Sequence, residues 1–140
     1  MTAAGLRMAE QSILVVEDDA AQRALVAGIL ADGGYRVTEA ASAEEAMTSC
    51  ERMGFDLVLC DYKLPGQDGM ALLAHLRAGA SDAAFVMVTA YGTIARAVEA
   101  VRAGADDYLS KPFERGELEL LLARTLRARA LRCENRRLAA

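Results

Sequence analysis

The run FDLVLCDYKLPGQD, residues 55–68, changes character at one position. From Phe55 to Cys60 it is apolar except for Asp56, which suits a strand buried on both faces of a sheet. From Asp61 onward it is polar and carries Pro65 and Gly66, the marks of a loop. Asp68 then caps a short helix whose apolar positions are Leu72, Leu73 and Leu76. A buried strand passing through a loop into a helix is half of a βαβ unit. Asp61 stands at the hand-over.

The same unit recurs on both sides of it. Ser12 to Val16 (SILVV) is too short for a helix and rich in β-branched residues, so it reads as the first strand. Asp19 opens the helix that follows, with Gln22 in capping-box spacing, an apolar stripe of Leu25, Val26, Ile29 and Leu30, and a left-handed stop at Gly33-Gly34. Tyr35 to Glu39 is the second strand. Ser42 and Glu45 form another capping box ahead of Ala46, Met47, Cys50 and Met53, and Gly54 ends that helix. Phe85 to Val88 is the fourth strand. Thr93 starts the fourth helix, with Ile94, Ala97, Val98 and Val101 on one face and Gly104 at its end. Asp107 to Leu109 is a short fifth strand, and the last helix begins near Glu114. Strands alternating with helices predict right-handed βαβ units around a parallel sheet. Strands two and five are the least apolar and belong at its edges. The predicted fold is α/β, a doubly wound five-stranded parallel sheet in the order 2-1-3-4-5, with an extended last helix.

The bulk properties bound the function. A chain of 140 residues suits one domain and can bury a core without staples. No run reaches the roughly 18 apolar residues of a membrane span, and the start MTAAGLRMAE lacks the pattern of a secretory signal, so a cytoplasmic location is expected. Cys50, Cys60 and Cys133 are odd in number and without CxxC spacing, which argues against disulfides and zinc; Cys60 reads as a core residue. His75 alone is assigned no role. A net charge of -4 does not suggest a nucleic-acid binder. The six arginines between Arg124 and Arg137, against the single acid Glu134, read as a solvated helix face.

In an open α/β sheet the functional crevice lies beyond the carboxyl ends of the strands. Strand one ends in Glu17-Asp18-Asp19, strand three in Asp61, strand four in Thr89, and strand five runs on into Lys111-Pro112. Crowded carboxylates repel, and a hard divalent cation relieves that repulsion. Magnesium suits such oxygen ligands, one from Asp18 and one from Asp61, with a loop carbonyl and waters completing the shell. The ion would shield Asp61 from an anionic phosphoryl group, Lys111 could neutralise the transferring oxygens, and Thr89 could hydrogen-bond to them. Asp19 is kept as a helix cap.

Four segments, ILVVEDD (13–19), LVLCDYKLPGQDG (57–69), VMVTAYG (86–92) and AGADDYLSKPF (103–113), closely resemble the receiver domains of two-component response regulators. The resemblance covers roughly residues 12 to 123 and implies the flavodoxin-like (CheY-like) version of the fold. It implies that Asp61 is the phosphoacceptor, a nucleophile toward a phosphohistidine on a sensor histidine kinase. It implies that Asp18, Asp61 and the backbone carbonyl of Lys63 bind magnesium (or manganese), with Glu17 bonding through water. Many relatives have aspartate where Glu17 stands, so the extra methylene is a mild departure. Thr89 and Lys111 would contact the phosphoryl group, Tyr108 would rotate on activation, and Lys63 and Tyr91 would tune hydrolysis.

AVEAVRAGADDYLSKPF (97–113) and LRARALRCENRRLA (126–139) look more narrowly like activators of the nitrogen-regulator class, whose receiver precedes an ATPase domain acting on sigma-54 polymerase and then a DNA-binding domain. The expected organisation is an extension over 1–11, a receiver over 12–123 and a helical linker over 124–140. Leu121, Ala128 and Asn135 recur every seven residues, as do Leu131 and Leu138. This reads equally as a short coiled-coil seam pairing two copies or as a linker helix. The receiver itself is expected to bind neither nucleic acid nor membrane. A free-standing phosphorelay shuttle is disfavoured by the basic tail. An aspartate-nucleophile phosphatase would want a second aspartate where Lys63 stands, and a flavodoxin-like cofactor binder would want a phosphate cradle where EDDAA (17–21) stands. A pseudo-receiver is disfavoured by the intact Asp18, Asp61, Thr89 and Lys111.

Overall fold

The computed structural model describes residues 11–90 and 94–139. The expected start of the fourth helix at Thr93, Tyr91, the extension before Gln11 and the side chain of Leu138 lie outside the described residues. The elements alternate as β1 (Ser12–Val16), α1 (Ala20–Asp32), β2 (Arg36–Ala40), α2 (Ala43–Arg52), β3 (Leu57–Asp61), α3 (Gly69–Ala78), β4 (Ala84–Thr89), α4 (Ile94–Arg102), β5 (Asp107–Ser110) and α5 (Arg115–Ala139). The strands form one sheet in the order β2-β1-β3-β4-β5, all pairs parallel. The architecture is the expected one, and strand ends differ from the sequence reading by a residue or two.

Alternate residues of each strand supply opposite faces of the sheet. Leu14, Val16, Val58, Cys60, Phe85 and Met87 pack with Ala46 of α2, Leu72, Leu73 and Leu76 of α3 and Ala100 of α4. Ile13, Val15, Leu57, Leu59, Val86 and Val88 pack on the other face with Val26 and Leu30 of α1 and Leu118, Leu122 and Leu126 of α5. The predicted caps close as drawn. Asp19 accepts from the Gln22 amide at 3.0 Å, Ser42 from the Glu45 amide at 3.1 Å, and Asp68 from the Ala71 amide at 3.0 Å. At the end of α1 it is Gly34, with φ of 93°, that takes the left-handed conformation, while Gly33 stays right-handed.

Three apolar assignments need correction. Leu25 is 59% exposed: the buried stripe of α1 runs through Val26, Ala27 and Leu30, one step round the helix. The apolar face of α4 also looks outward, with Ile94, Val98 and Val101 exposed. The small side chain of Ala100 is what meets the core there. Leu121 is buried in its own domain's core, so it is not free to serve a seam between two copies.

The last helix is held in two ways. Over its first half Leu118, Leu122 and Leu126 are buried, each contributing about 1.5–3 kcal/mol. Beyond Leu126 arginines take over. Arg129 donates to the Asp82 carbonyl at 3.0 Å and pairs with Asp56 at 3.0 Å and with the Asp82 carboxylate at 3.1 Å. Arg132 meets Asp106 at 3.0 Å and Arg136 meets Asp82 at 3.4 Å. The basic run is therefore fastened to carboxylates that precede β3, β4 and β5.

Candidate functional site

Register decides which side chains meet at the carboxyl edge. Val16 pairs with Cys60, so the residues that follow them, Glu17 and Asp61, leave β1 and β3 side by side. Asp61 in turn pairs with Val88, next to Thr89, and Thr89 pairs with Ser110, next to Lys111. The parallel sheet thus collects Glu17, Asp61, Thr89 and Lys111 on one edge from four separate strand ends.

The loop after Asp61 is held close by Gly69. Its amide donates to the Tyr62 carbonyl at 2.9 Å. A Cβ there would lie 2.6 Å from the Asp61 carbonyl oxygen and 2.8 Å from the Met87 sulfur. Only glycine admits that approach, and it fixes the backbone on which the Asp61 side chain is mounted.

Lys111 lies between two carboxylates, with its Nζ 2.7 Å from Glu17 Oε1 and 3.4 Å from Asp61 Oδ2. Glu17 Oε2 also accepts from the Asp19 amide at 3.2 Å. Burial alone would raise the Glu17 carboxyl, but the hydrogen bond from Lys111, the Asp19 amide and the lysine charge together hold it below its ordinary value. Burial likewise works against the Lys111 ammonium. The hydrogen bond to Glu17 and the charge of Asp61 overcome it and raise its pKa. Asp61 is less well compensated. Burial, then the neighbouring Glu17 charge, push it up to about 6 against the pull of Lys111.

Oxygens of Glu17, Asp18 and Asp61 lie within 4.8 Å of one another, close enough to share one cation. All three donors are carboxylates, and the one ammonium beside them meets only Glu17 and Asp61, which leaves Asp61 destabilised as an anion. That donor set fits a hard divalent ion better than a soft one.

Above the acids opens a cleft of about 460 Å³, bordered by Asp18, Asp61, Lys63, Thr89 and Arg96 among others. Thr89 is buried, and Lys63 is exposed at the rim. Tyr108 is not at this edge. It lies two strand positions behind, opposite Met87 and half-buried against the core cluster that contains it. The structure therefore brings Glu17, Asp18, Asp61, Thr89, Lys63 and Lys111 together, with Tyr108 behind them.

The sequence reading missed Arg96 and Tyr62. The Arg96 guanidinium sits 4.6 Å from the centroid of the Tyr62 ring, and the Tyr62 hydroxyl donates to Glu99 at 3.1 Å. No local motif announces this contact. The only hint is that Arg96 and Glu99 share a face of α4 by their spacing of three.

Comparison with known proteins agrees with the architecture. Residues 13–123 match the response regulator receiver domain family. The response regulator protein FleR of Pseudomonas aeruginosa is 44% identical over 112 residues, which are 80% of this chain and 24% of FleR. The transcriptional regulatory protein ZraR of Escherichia coli is 37% identical over 114 residues, 81% of this chain and 26% of ZraR. The chain thus spans about a quarter of the length of these curated relatives. Among solved structures, NtrX from Brucella abortus superposes with a TM-score of 0.88 at 36% identity, covering 94% of this chain and 30% of NtrX. With its family-wide match, its parallel 2-1-3-4-5 sheet and its acidic edge, the chain belongs to the response regulator receiver family.

Proposed function

We propose that Asp61 is the phosphoacceptor of a two-component switch. One Asp61 carboxylate oxygen attacks the phosphorus of a phosphohistidine on a sensor histidine kinase. The new O–P bond forms as the N–P bond breaks, and the imidazole leaves and takes up a proton. Asp18, Asp61 and the Lys63 carbonyl would hold a magnesium (or manganese) ion, with Glu17 bonding through water. The ion would supply charge neutralisation at the transferring oxygens. Lys111 adds a second positive charge, and the Thr89 hydroxyl is placed to donate to the phosphoryl group.

The observation that carries this reading is the incompletely compensated Asp61 carboxylate, which shares one edge with two further acids and one lysine. The acyl phosphate adds charge and acceptor oxygens. Thr89 moves toward them, Tyr108 turns into the space left, and the α4–β5–α5 face is reshaped by a shift between pre-existing forms.

Residues 12–123 act as the receiver and 124–140 as a linker helix. The length of FleR and ZraR supports placing this receiver ahead of ATPase and DNA-binding domains in a cytoplasmic, sigma-54-dependent transcriptional activator. Any pairing of two copies along the last helix would use its exposed positions, such as Ala128 and Leu131, since Leu121 is engaged. Arg129, Arg132 and Arg136 are engaged with the domain's own carboxylates, which argues against a nucleic-acid surface on this helix. Among the described residues no helix is long and apolar enough to cross a membrane.

The test is intact mass after incubation with acetyl phosphate. The wild type should gain one phosphoryl group only when magnesium is present, and Asp61→Asn should gain none. A wild type that gains nothing under any condition would leave a domain that works by contact alone.

A further inference from the structure

The Tyr62 ring links the acidic edge to helix α4. It directly follows Asp61, it packs against the core cluster beneath α3 and α4, and its hydroxyl is tied to Glu99. Arg96, one turn earlier on α4, lies over its face. Arg96 also borders the cleft that Asp18, Asp61, Lys63 and Thr89 line. Among the neighbours of this guanidinium, two differ in kind. One is an aromatic face, worth about 0.5–1 kcal/mol to a cation at a solvent-exposed site. The other is a cleft that, on the reading above, receives a phosphoryl group.

We propose that Arg96 exchanges partners on phosphorylation, leaving the Tyr62 ring to pair with the phosphoryl oxygens on Asp61, and so acts as a positioning residue that draws the first turn of α4 toward the site. The chemistry favours the exchange. A guanidinium presents a planar fork of donors that matches phosphoryl oxygens, and such charge-assisted bonds are stronger than a contact with a ring face. Before phosphorylation the described residues of the cleft offer carboxylate oxygens, but none in tetrahedral array. Afterwards three oxygens stand beside Asp61. The departure of Arg96 leaves the Tyr62 ring held by its core packing and by Glu99. The first turn of α4 then moves as a consequence of charge at Asp61, along a route separate from Thr89 and Tyr108.

This inference rests on Asp61 being the phosphoacceptor, and its test keeps the two apart. The whole 140-residue chain is titrated with beryllofluoride, a phosphoryl mimic, in the presence of magnesium. The ring resonances of Tyr62, assigned through Tyr62→Phe, are followed by NMR. In wild type the Tyr62 resonances should shift on loading. Arg96→Ala should show the shifted positions before loading and need about three- to tenfold more mimic for half-saturation. Arg96→Lys should recover part of the affinity, since it keeps the charge without the fork. If wild type loads, but Arg96→Ala loads equally well with the same movement of Tyr62, the exchange is overturned while the phosphoacceptor stands. If wild type takes up no mimic, both fall together.

Discussion

The two ends of the sheet handle charge in opposite ways. At the carboxyl end Glu17, Asp18 and Asp61 converge, one ammonium meets Glu17 and Asp61, and Asp61 is left with a pKa of about 6. At the amino end Asp56, Asp82 and Asp106 meet Arg77, Arg129, Arg132 and Arg136. There burial would raise the Asp82 carboxyl, but hydrogen bonds from Arg129 and Cys133 and the charge of Arg136 hold it below its ordinary value. One end satisfies its acids internally and fixes a helix in doing so. The other keeps an unbalanced acid that a cation or a covalent modification can relieve. Clustered acids therefore signal a reactive site only when their partners are too few.

That contrast can be broken at either end. The largest effect is expected from Gly69→Ala. The new Cβ would press on the Asp61 carbonyl and the Met87 sulfur, and should cost about 2–3 kcal/mol, read from the denaturant midpoint. Phosphoryl uptake should slow as well, because the same backbone carries Asp61. Arg129→Ala attacks the opposite end. It removes contacts to Asp56 and to both the carbonyl and carboxylate of Asp82 and should cost about 1–2 kcal/mol. Amides beyond residue 129 should exchange faster with deuterium, while the extent of phosphoryl uptake stays at the wild-type level. Equal uptake with unchanged exchange would show that the arginines do not hold the tail.

The smallest effect sharpens the contrast through pH. The folded pKa of Asp61, about 6, is above the roughly 3.9 of an unfolded aspartate, so folding favours its protonated form. That contribution is fully present below about pH 4 and is lost as pH rises through 6. Asp61→Asn cannot suffer the loss. With metal chelated it should exceed wild type in thermal stability near pH 7.5, by about 1 kcal/mol once solvent screening is allowed for, the pull of Lys111 being already part of the Asp61 pKa. The advantage should vanish near pH 4. Equal melting curves across that range would mean that the acidic edge is balanced after all.

Much of this was legible in the chain itself. Apolar runs such as SILVV and FDLVLC can satisfy their burial only inside a two-sided sheet, and Asp19, Ser42 and Asp68 announce helix starts through local hydrogen bonds. Once the sheet is known, the ends of its strands place Glu17, Asp61, Thr89 and Lys111 together without further information. What stayed hidden depends on how elements pack. The exposure of Leu25 turns on one step of helix rotation, and that of Ile94 on α4 meeting the sheet through alanine. The Arg96–Tyr62 stack needs two segments far apart in the chain to meet. The arginine run looks like a solvated face until its aspartate partners, each just ahead of a strand, are seen to lie under it.

The last helix has a mechanical consequence. At about 1.5 Å per residue its 25 residues make a rod of about 37 Å. A rod anchored at one end only would act as a lever, and a tilt of 10° at its root would swing the tip by about 6 Å. This rod is bolted near both ends, by leucines at its root and by arginines farther along. It therefore works less as a hinge than as a handle. Whatever is attached to its tip would be turned by the attitude of the whole domain, and a rearrangement at the acidic edge would reach it through the face that the root of the helix shares with α4 and β5.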